Sequence, residues 1–174
     1  MKLFGKWRKE ETNAKAEDAA FVPANENGAT EDTIGKGRKM LIVDDNSVVL
    51  KAFEFKLKAS GFQVLTATEG AAAVSVARQA RPDIIVLDIN FPPDVGGSGL
   101  QWDGFNILQW LRRFQEVATI PTIIITSGDP SKYKEKALAV GAIAFFQKPI
   151  NYEDFMITVR RALKQGGQAN PAAT

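Results

Sequence analysis

The 174-residue sequence contains no cysteine and no histidine. The absence of cysteine excludes disulfides and thiol chemistry. The absence of histidine excludes His-based metal sites, Ser-His-Asp triads and phosphohistidine intermediates within this chain. Any acid, base or nucleophile must therefore come from Asp, Glu, Lys, Tyr, Ser or Thr.

The chain also lacks a strong charge of either sign and a long hydrophobic run. Its 22 basic and 20 acidic residues leave a net charge of +2, and no region is basic enough to predict nucleic-acid binding. No apolar run approaches the length of a membrane-spanning helix, and the first residues do not form a secretory signal. We therefore expect a cytoplasmic protein without an integral membrane segment.

Composition divides the chain into a folded centre and two polar tails. Residues 1–37 have few large apolar side chains, which predicts a disordered N-terminal tail, and residues 166–174 form a second one. The start of the first tail interleaves Leu3, Phe4 and Trp7 with basic residues. This start is either a segment that docks on an anionic membrane surface or a partner, or a plain disordered end. The folded domain is predicted over residues 38–165.

Within the folded centre, five short apolar segments alternate with five helical patterns. The predicted strands are Met40–Val43, Phe62–Ala67, Ile84–Leu87, Thr122–Thr126 and Ala142–Gln147. The first predicted helix is capped by Asn46 or Ser47 and ends at Gly61. The other four predicted helices cover Glu69–Ala80, Phe105–Phe114, Ser131–Val140 and Tyr152–Lys164. Alternation of this kind predicts a doubly wound α/β domain with a five-stranded parallel sheet and helices on both faces.

Polar side chains follow four of these strands. Asp44 and Asp45 follow the first, Asp88 the third, Thr126 the fourth and Lys148 the fifth. Because parallel strands end at one edge of a sheet, these side chains are expected to converge. Crowded carboxylates repel each other, and Mg²⁺ relieves that repulsion, while a lysine and a hydroxyl suit a tetrahedral anion. The set therefore predicts phosphoryl transfer onto an aspartate, although each residue alone could serve as a cap, a core residue or a solvated charge.

Four motifs in this order carry a family resemblance. L-I-V-D-D, D-I-I-V-L-D, I-I-I-T-S and F-Q-K-P resemble the receiver domain of two-component response regulators, from about Lys39 to Lys164. The resemblance implies a flavodoxin-like fold with strand order 2-1-3-4-5. It also implies a signalling phosphoacceptor rather than an enzyme, with self-phosphorylation from small donors and autodephosphorylation as its only chemistry.

The resemblance also implies a role for each acidic residue. Asp88 would be the phosphoacceptor, supplied by a histidine kinase or a histidine phosphotransferase. Asp44 and Asp45 would hold Mg²⁺ together with Asp88 and the backbone carbonyl of Asn90. Lys148 would pair with the phosphoryl oxygens.

Three further residues take roles from the same resemblance. Thr126 would move to hydrogen-bond the phosphoryl group, and Phe145 would be the switch aromatic that moves inward behind it. Pro149 would follow a cis peptide bond.

The sequence departs from the family pattern in two places. The segment F-P-P-D-V-G-G-S-G-L-Q-W separates the Asp88 strand from Asp103-Gly104 and is longer than usual. It is either a flap that covers the site or presents Trp102 to a partner, or a tolerated insertion. Gly128, two residues after Thr126, offers no side chain, so the lifetime of the phosphoryl group stays open.

No output domain follows the last predicted helix, so we expect a stand-alone receiver, like the chemotaxis regulators, that acts on an unknown partner by contact. The contact surface is predicted around Ser131–Val140, Phe145 and Tyr152–Lys164, or in the N-terminal tail. A phosphorylation-independent scaffold is the alternative. An aspartate-nucleophile phosphohydrolase of the haloacid dehalogenase kind is disfavoured, because Asn90 stands where those enzymes carry a second aspartate.

Overall fold

The computed structural model describes residues 34–90 and 103–166. Most of both predicted tails and the segment 91–102, including Trp102, lie outside these residues. Strands and helices alternate throughout the described part, as the sequence predicted. In chain order they are β1 Lys39–Val43, α1 Ser47–Ala59, β2 Gln63–Ala67, α2 Gly70–Ala80, β3 Ile84–Asp88, α3 Gly104–Leu111, β4 Thr122–Thr126, α4 Pro130–Ala139, β5 Ala144–Gln147 and α5 Tyr152–Gly166.

The strands form one parallel sheet in the order β2-β1-β3-β4-β5, which confirms the predicted topology. Val43 of β1 pairs with Leu87 of β3, so the two strands end side by side. Thr126 of β4 pairs with Gln147 of β5 in the same way. The carboxyl ends of four strands therefore share one edge.

Alternating side chains divide the core into two layers. Leu41 and Leu87 face α2, α3 and α4, whereas Ile42 and Val86 face α1 and α5. All five residues of β3 and of β4 are buried, as expected for central strands covered on both faces. None of the helices in the described ranges is long and apolar enough to cross a membrane.

The structure differs from the predicted elements at the end of α3. The helix was predicted to reach Phe114, but it ends at Leu111. The Arg112 guanidinium bonds to the carbonyls of Ala118 and Ile120, which holds residues 112–120 in turns that fold back on the helix end. Ile34, the first described residue, is partly buried against the core layer that faces α1 and α5.

Candidate functional site

Two of the predicted carboxylates end their strands in the same local structure. The Asp44 Oδ1 atom accepts a hydrogen bond from the Asn46 amide at 2.9 Å. The Asp88 Oδ1 atom accepts one from the Asn90 amide at 2.8 Å. Each contact is an Asx turn, in which a side chain bonds the backbone two residues later. One oxygen of each carboxylate is thereby fixed to the backbone, and the Oδ2 atom is left for other partners.

The structure brings three carboxylates together at the end of the sheet. Asp44, Asp45 and Asp88 each offer an oxygen, and these oxygens lie within 4.8 Å of one another. Asp44 is 0% exposed and Asp88 is 3% exposed, whereas Asp45 faces solvent. The cluster is therefore closed at its base and open on one side.

Lys148 joins this cluster from the end of β5. Its Nζ atom lies 2.6 Å from Asp44 Oδ2 and 2.5 Å from Asp88 Oδ2. The side chain is only 17% exposed, so both ion pairs are shielded from water. The Lys148–Pro149 peptide bond is cis, as the family resemblance implied.

Burial and charge act in opposite directions on these groups. Burial raises the pKa of Asp44, and the hydrogen bonds from Lys148 and from the Asn46 amide oppose that rise without cancelling it. Burial alone would lower the pKa of Lys148, but its hydrogen bonds to Asp44 and Asp88 and their charges outweigh burial and raise it. One ammonium group thus contacts two of the three carboxylates, and the oxygen-only donor set with its excess of acidic groups fits a small, hard divalent cation.

Thr126 and Phe145 lie on the neighbouring strands β4 and β5. Thr126 is fully buried, and its Oγ1 atom accepts a hydrogen bond from the Gly128 amide at 3.0 Å. The Lys148 amide donates to the Thr126 carbonyl at 2.7 Å, which joins the ends of β4 and β5. Phe145 pairs with Ile124 and is half-buried on the face covered by α2, α3 and α4. Thr126 thus ends β4 next to the Lys148 backbone, whereas Phe145 lies three residues before Lys148 within β5.

The start of α3 is pressed against the end of β3. The Asp103 side chain caps the helix by accepting from the Asn106 amide at 2.6 Å. A side chain at Gly104 would collide with the Asp88 carbonyl and the Ile89 backbone. Glycine is therefore required here for close approach, and the Asp103-Gly104 pair packs the start of α3 directly against the Asp88 backbone.

An apolar groove of about 220 Å³ begins at Lys148 and runs between α1 and the start of α5. Its lining residues are Val49, Ala52, Phe53, Lys56, Lys148, Pro149, Ile150 and Tyr152. Two large apolar residues of α1 outside this lining, Val48 and Phe55, are 72% and 79% exposed. The groove that begins at Lys148 is thus lined mainly by apolar side chains.

Sequence reasoning missed the two Asx turns and a contact between Tyr133 and Gly128. The turns had a signal, since Asp-x-Asn stands at the end of both β1 and β3. Tyr133 had none, because its contact with Gly128 arises only when α4 packs onto the sheet.

Comparison with known proteins agrees with this geometry. The profile described as "Response regulator receiver domain" matches residues 40–160. The transcriptional regulatory protein KdpE of Mycobacterium tuberculosis is 30% identical over 130 residues, which are 75% of this chain and 53% of KdpE. The chain therefore spans about half the length of that relative.

Two shorter proteins are matched over nearly their whole length. The polar-differentiation response regulator DivK of Brucella anthropi is 29% identical over 126 residues, which are 72% of this chain and 96% of DivK. The crystal structure of the chemotaxis protein CheY4 of Vibrio cholerae superposes with a TM-score of 0.63 at 29% identity, covering 72% of this chain and 98% of that protein.

Proposed function

The chain belongs to the response regulator receiver domain family of two-component systems, and we propose that it accepts a phosphoryl group on Asp88 and signals by contact with another protein. The observation that carries the proposal is the position of the Lys148 ammonium between the Oδ2 atoms of Asp44 and Asp88. A carboxylate held beside a cation and two more carboxylates is suited to act as a nucleophile toward phosphorus.

Mg²⁺ is the cofactor that the donor set favours. Asp44, Asp45 and Asp88 would hold it, together with the backbone carbonyl of Asn90. Mg²⁺ prefers carboxylate oxygens and keeps several waters, which matches a cluster open to solvent at Asp45. When bound, the ion would neutralise negative charge on the phosphoryl oxygens.

The proposed transfer needs a nucleophile and a neutralising cation from this chain. A carboxylate oxygen of Asp88 attacks the phosphorus of a phosphohistidine, the phosphorus–nitrogen bond breaks, and the imidazole leaves with the electron pair. With a small donor such as acetyl phosphate, a phosphorus–oxygen bond breaks and acetate leaves. Lys148 supports both reactions by holding a positive charge beside the oxygens that gain negative charge. The Thr126 hydroxyl would then bind the phosphoryl group, and Phe145 would move inward behind it.

A histidine kinase or phosphotransferase is the proposed donor. Its phosphorus must come within bonding distance of Asp88, so the donor protein must cover the adjacent surface. The groove that starts at Lys148, with the exposed Val48 and Phe55 of α1, is the apolar surface in that position. The downstream protein would bind a second surface on α4, the start of β5 and α5, where Leu138, Ile143 and Ile157 are 47%, 45% and 44% exposed. Both contacts are proposed to take place in the cytoplasm.

The first test is intact mass after incubation with acetyl phosphate, with and without Mg²⁺. We expect one phosphoryl adduct that requires Mg²⁺ and is absent from Asp88→Asn. Glu54→Gln, an exposed carboxylate on α1 paired with Lys58, is the matched control and should accept the adduct normally. A folded protein that binds Mg²⁺ without forming the adduct would favour the phosphorylation-independent scaffold instead.

A further inference from the structure

Gly128 has no room for a side chain because an aromatic ring from α4 fills the space. A Cβ atom at Gly128 would lie 2.6 Å from Cε2 and 2.9 Å from Cδ2 of Tyr133. The same Cβ would lie 3.3 Å from Thr126 Oγ1. Since these distances are measured from one point, the Tyr133 ring and the Thr126 hydroxyl both border the same small space at Gly128.

The Tyr133 ring is held by contacts between two helices. Tyr133 stands in the first turns of α4, and its ring centroid lies 6.2 Å from that of Phe105 in α3. The Lys136 ammonium lies 4.1 Å from the centre of the Phe105 ring, which adds a second link between α3 and α4. Packing of α3 on α4 therefore keeps the ring over Gly128.

We propose that Tyr133 is a positioning residue for the phosphoryl site, which closes the Thr126 side against water and so prolongs the life of the aspartyl phosphate. This inference rests on the proposed function of Asp88. The reaction that it slows is hydrolysis, in which a water oxygen attacks phosphorus. The bond from phosphorus to the Asp88 oxygen breaks, the carboxylate leaves with the electron pair, and the proton of the water passes to phosphate or solvent.

The physical reason is that Gly128 has no side chain with which to shield the Thr126 hydroxyl from water. Thr126 is fully buried even though the residue two positions later has no side chain. The Cδ2–Cε2 edge of the Tyr133 ring, which occupies that space, is apolar and offers water no hydrogen bonds, so water is excluded from it. Tyr133 thus shields Thr126 from water from its place in α4, as a larger side chain at position 128 would do from the loop.

The test uses the phosphorylated 174-residue chain and follows loss of the adduct by intact mass after acetyl phosphate is removed. We expect Tyr133→Ala to lose the phosphoryl group about tenfold faster than the parent, while its rate of phosphoryl uptake stays the same. Tyr133→Phe keeps the ring and should match the parent. Gln79→Ala, at an exposed position of α2, is the control for a surface substitution away from the site and should also match.

A second variant tests whether the filled space is the cause. In the Tyr133→Ala background, Gly128→Val places an apolar side chain in the vacated volume and should restore the parental lifetime of the aspartyl phosphate. If Tyr133→Ala proves unstable, Tyr133→Leu keeps an apolar side chain without the flat ring and should still shorten the lifetime. An unchanged lifetime in the alanine or leucine variant, or no restoration by valine, would overturn the proposal.

A measurement without phosphorylation separates this proposal from the proposed function. The Gly128 amide donates to the Thr126 hydroxyl beneath the ring, so its hydrogen exchange reports water access directly. We expect exchange about tenfold faster in Tyr133→Ala and unchanged in Tyr133→Phe. Equal exchange in all three proteins would overturn the shielding role. A parent that forms no adduct would instead refute the role of Asp88 and leave the exchange result to decide the shielding.

Discussion

Lys148 is the residue whose charge matters most to the carboxylate cluster. Its ammonium group contacts Asp44 and Asp88, both nearly inaccessible to water. Removal of one partner from a buried ion pair typically costs about 3–5 kcal/mol, because the remaining charge stays buried without compensation. The 17% exposure of Lys148 and the open side of the cluster place the expected cost near the lower end.

Replacement of Lys148 by methionine should therefore make the protein depend on Mg²⁺ for stability. We expect Lys148→Met to unfold at a lower temperature than the parent in a chelator and to gain more stability from added Mg²⁺, because the ion compensates the carboxylate charge that has lost its lysine partner. Thermal unfolding with and without Mg²⁺ measures both effects. Lys51→Met, on the exposed side of α1, is the control. An equal gain from Mg²⁺ in all three proteins would contradict this account of the cluster.

At the scale of single elements, four helices begin with a side-chain cap. Asn or Asp side chains accept hydrogen bonds from the first amides of α1, α3, α4 and α5. In α5 the Asn151 side chain accepts from the Glu153 amide at 2.9 Å and from the Asp154 amide at 3.2 Å. This cap sets where α5 begins, directly after the cis peptide that follows Lys148.

Loss of the α5 cap should be measurable as a loss of folding free energy. We expect Asn151→Ala to lower the free energy of unfolding by about 1 kcal/mol, since two helix amides lose their acceptor. Asn151→Asp keeps an acceptor and should retain most of the stability. Urea unfolding compares the two variants with the parent, and equal stability of the alanine and aspartate variants would show that the cap contributes little.

The elements were largely predictable because their signals are local. The apolar runs of β3 and β4 correspond to strands buried on both faces, and Asn46 caps α1 as one of the two predicted residues. The end of α3 was not predictable, since Phe105–Phe114 retains helical periodicity throughout. The helix ends at Leu111 because Arg112 bonds to carbonyls several residues away, and those bonds form only in the folded chain.

At the scale of the whole molecule, Arg112 ties three segments together on the far side from the cluster. Besides the carbonyls of Ala118 and Ile120, its guanidinium bonds to the Gly141 carbonyl at 2.8 Å. Burial lowers the pKa of Arg112. The side chain thus joins the end of α3, the approach to β4 and the turn between α4 and β5.

Arg112→Met should destabilise the whole domain. We expect a loss of about 1–3 kcal/mol in the free energy of unfolding, because backbone carbonyls lose a charged donor. Arg112→Lys should recover only part of it, since an ammonium group cannot match the fork of a guanidinium. Arg113→Met, which removes an exposed guanidinium that contacts the Trp110 ring at 5.3 Å, is the neighbouring control. A loss in Arg113→Met as large as that in Arg112→Met would contradict the role given to Arg112.

The gathering of Asp44, Asp45 and Asp88 was predictable from topology alone, because parallel strands end at one edge. The order of the strands and the assignment of roles came from the family resemblance. What could not be predicted were contacts between side chains distant in sequence, such as Tyr133 over Gly128. Local patterns determine the elements, whereas such contacts depend on how helices pack.

The most direct test of the account is to locate the phosphoryl group on the chain. The protein is phosphorylated with acetyl phosphate and Mg²⁺ and then treated with borohydride, which reduces an aspartyl phosphate to homoserine. Peptide mass mapping then reads residues 44, 45 and 88 separately. We predict homoserine at position 88 only. Homoserine at position 44 or 45, or an adduct that borohydride leaves unreduced, would contradict the assignment of Asp88 as the phosphoacceptor.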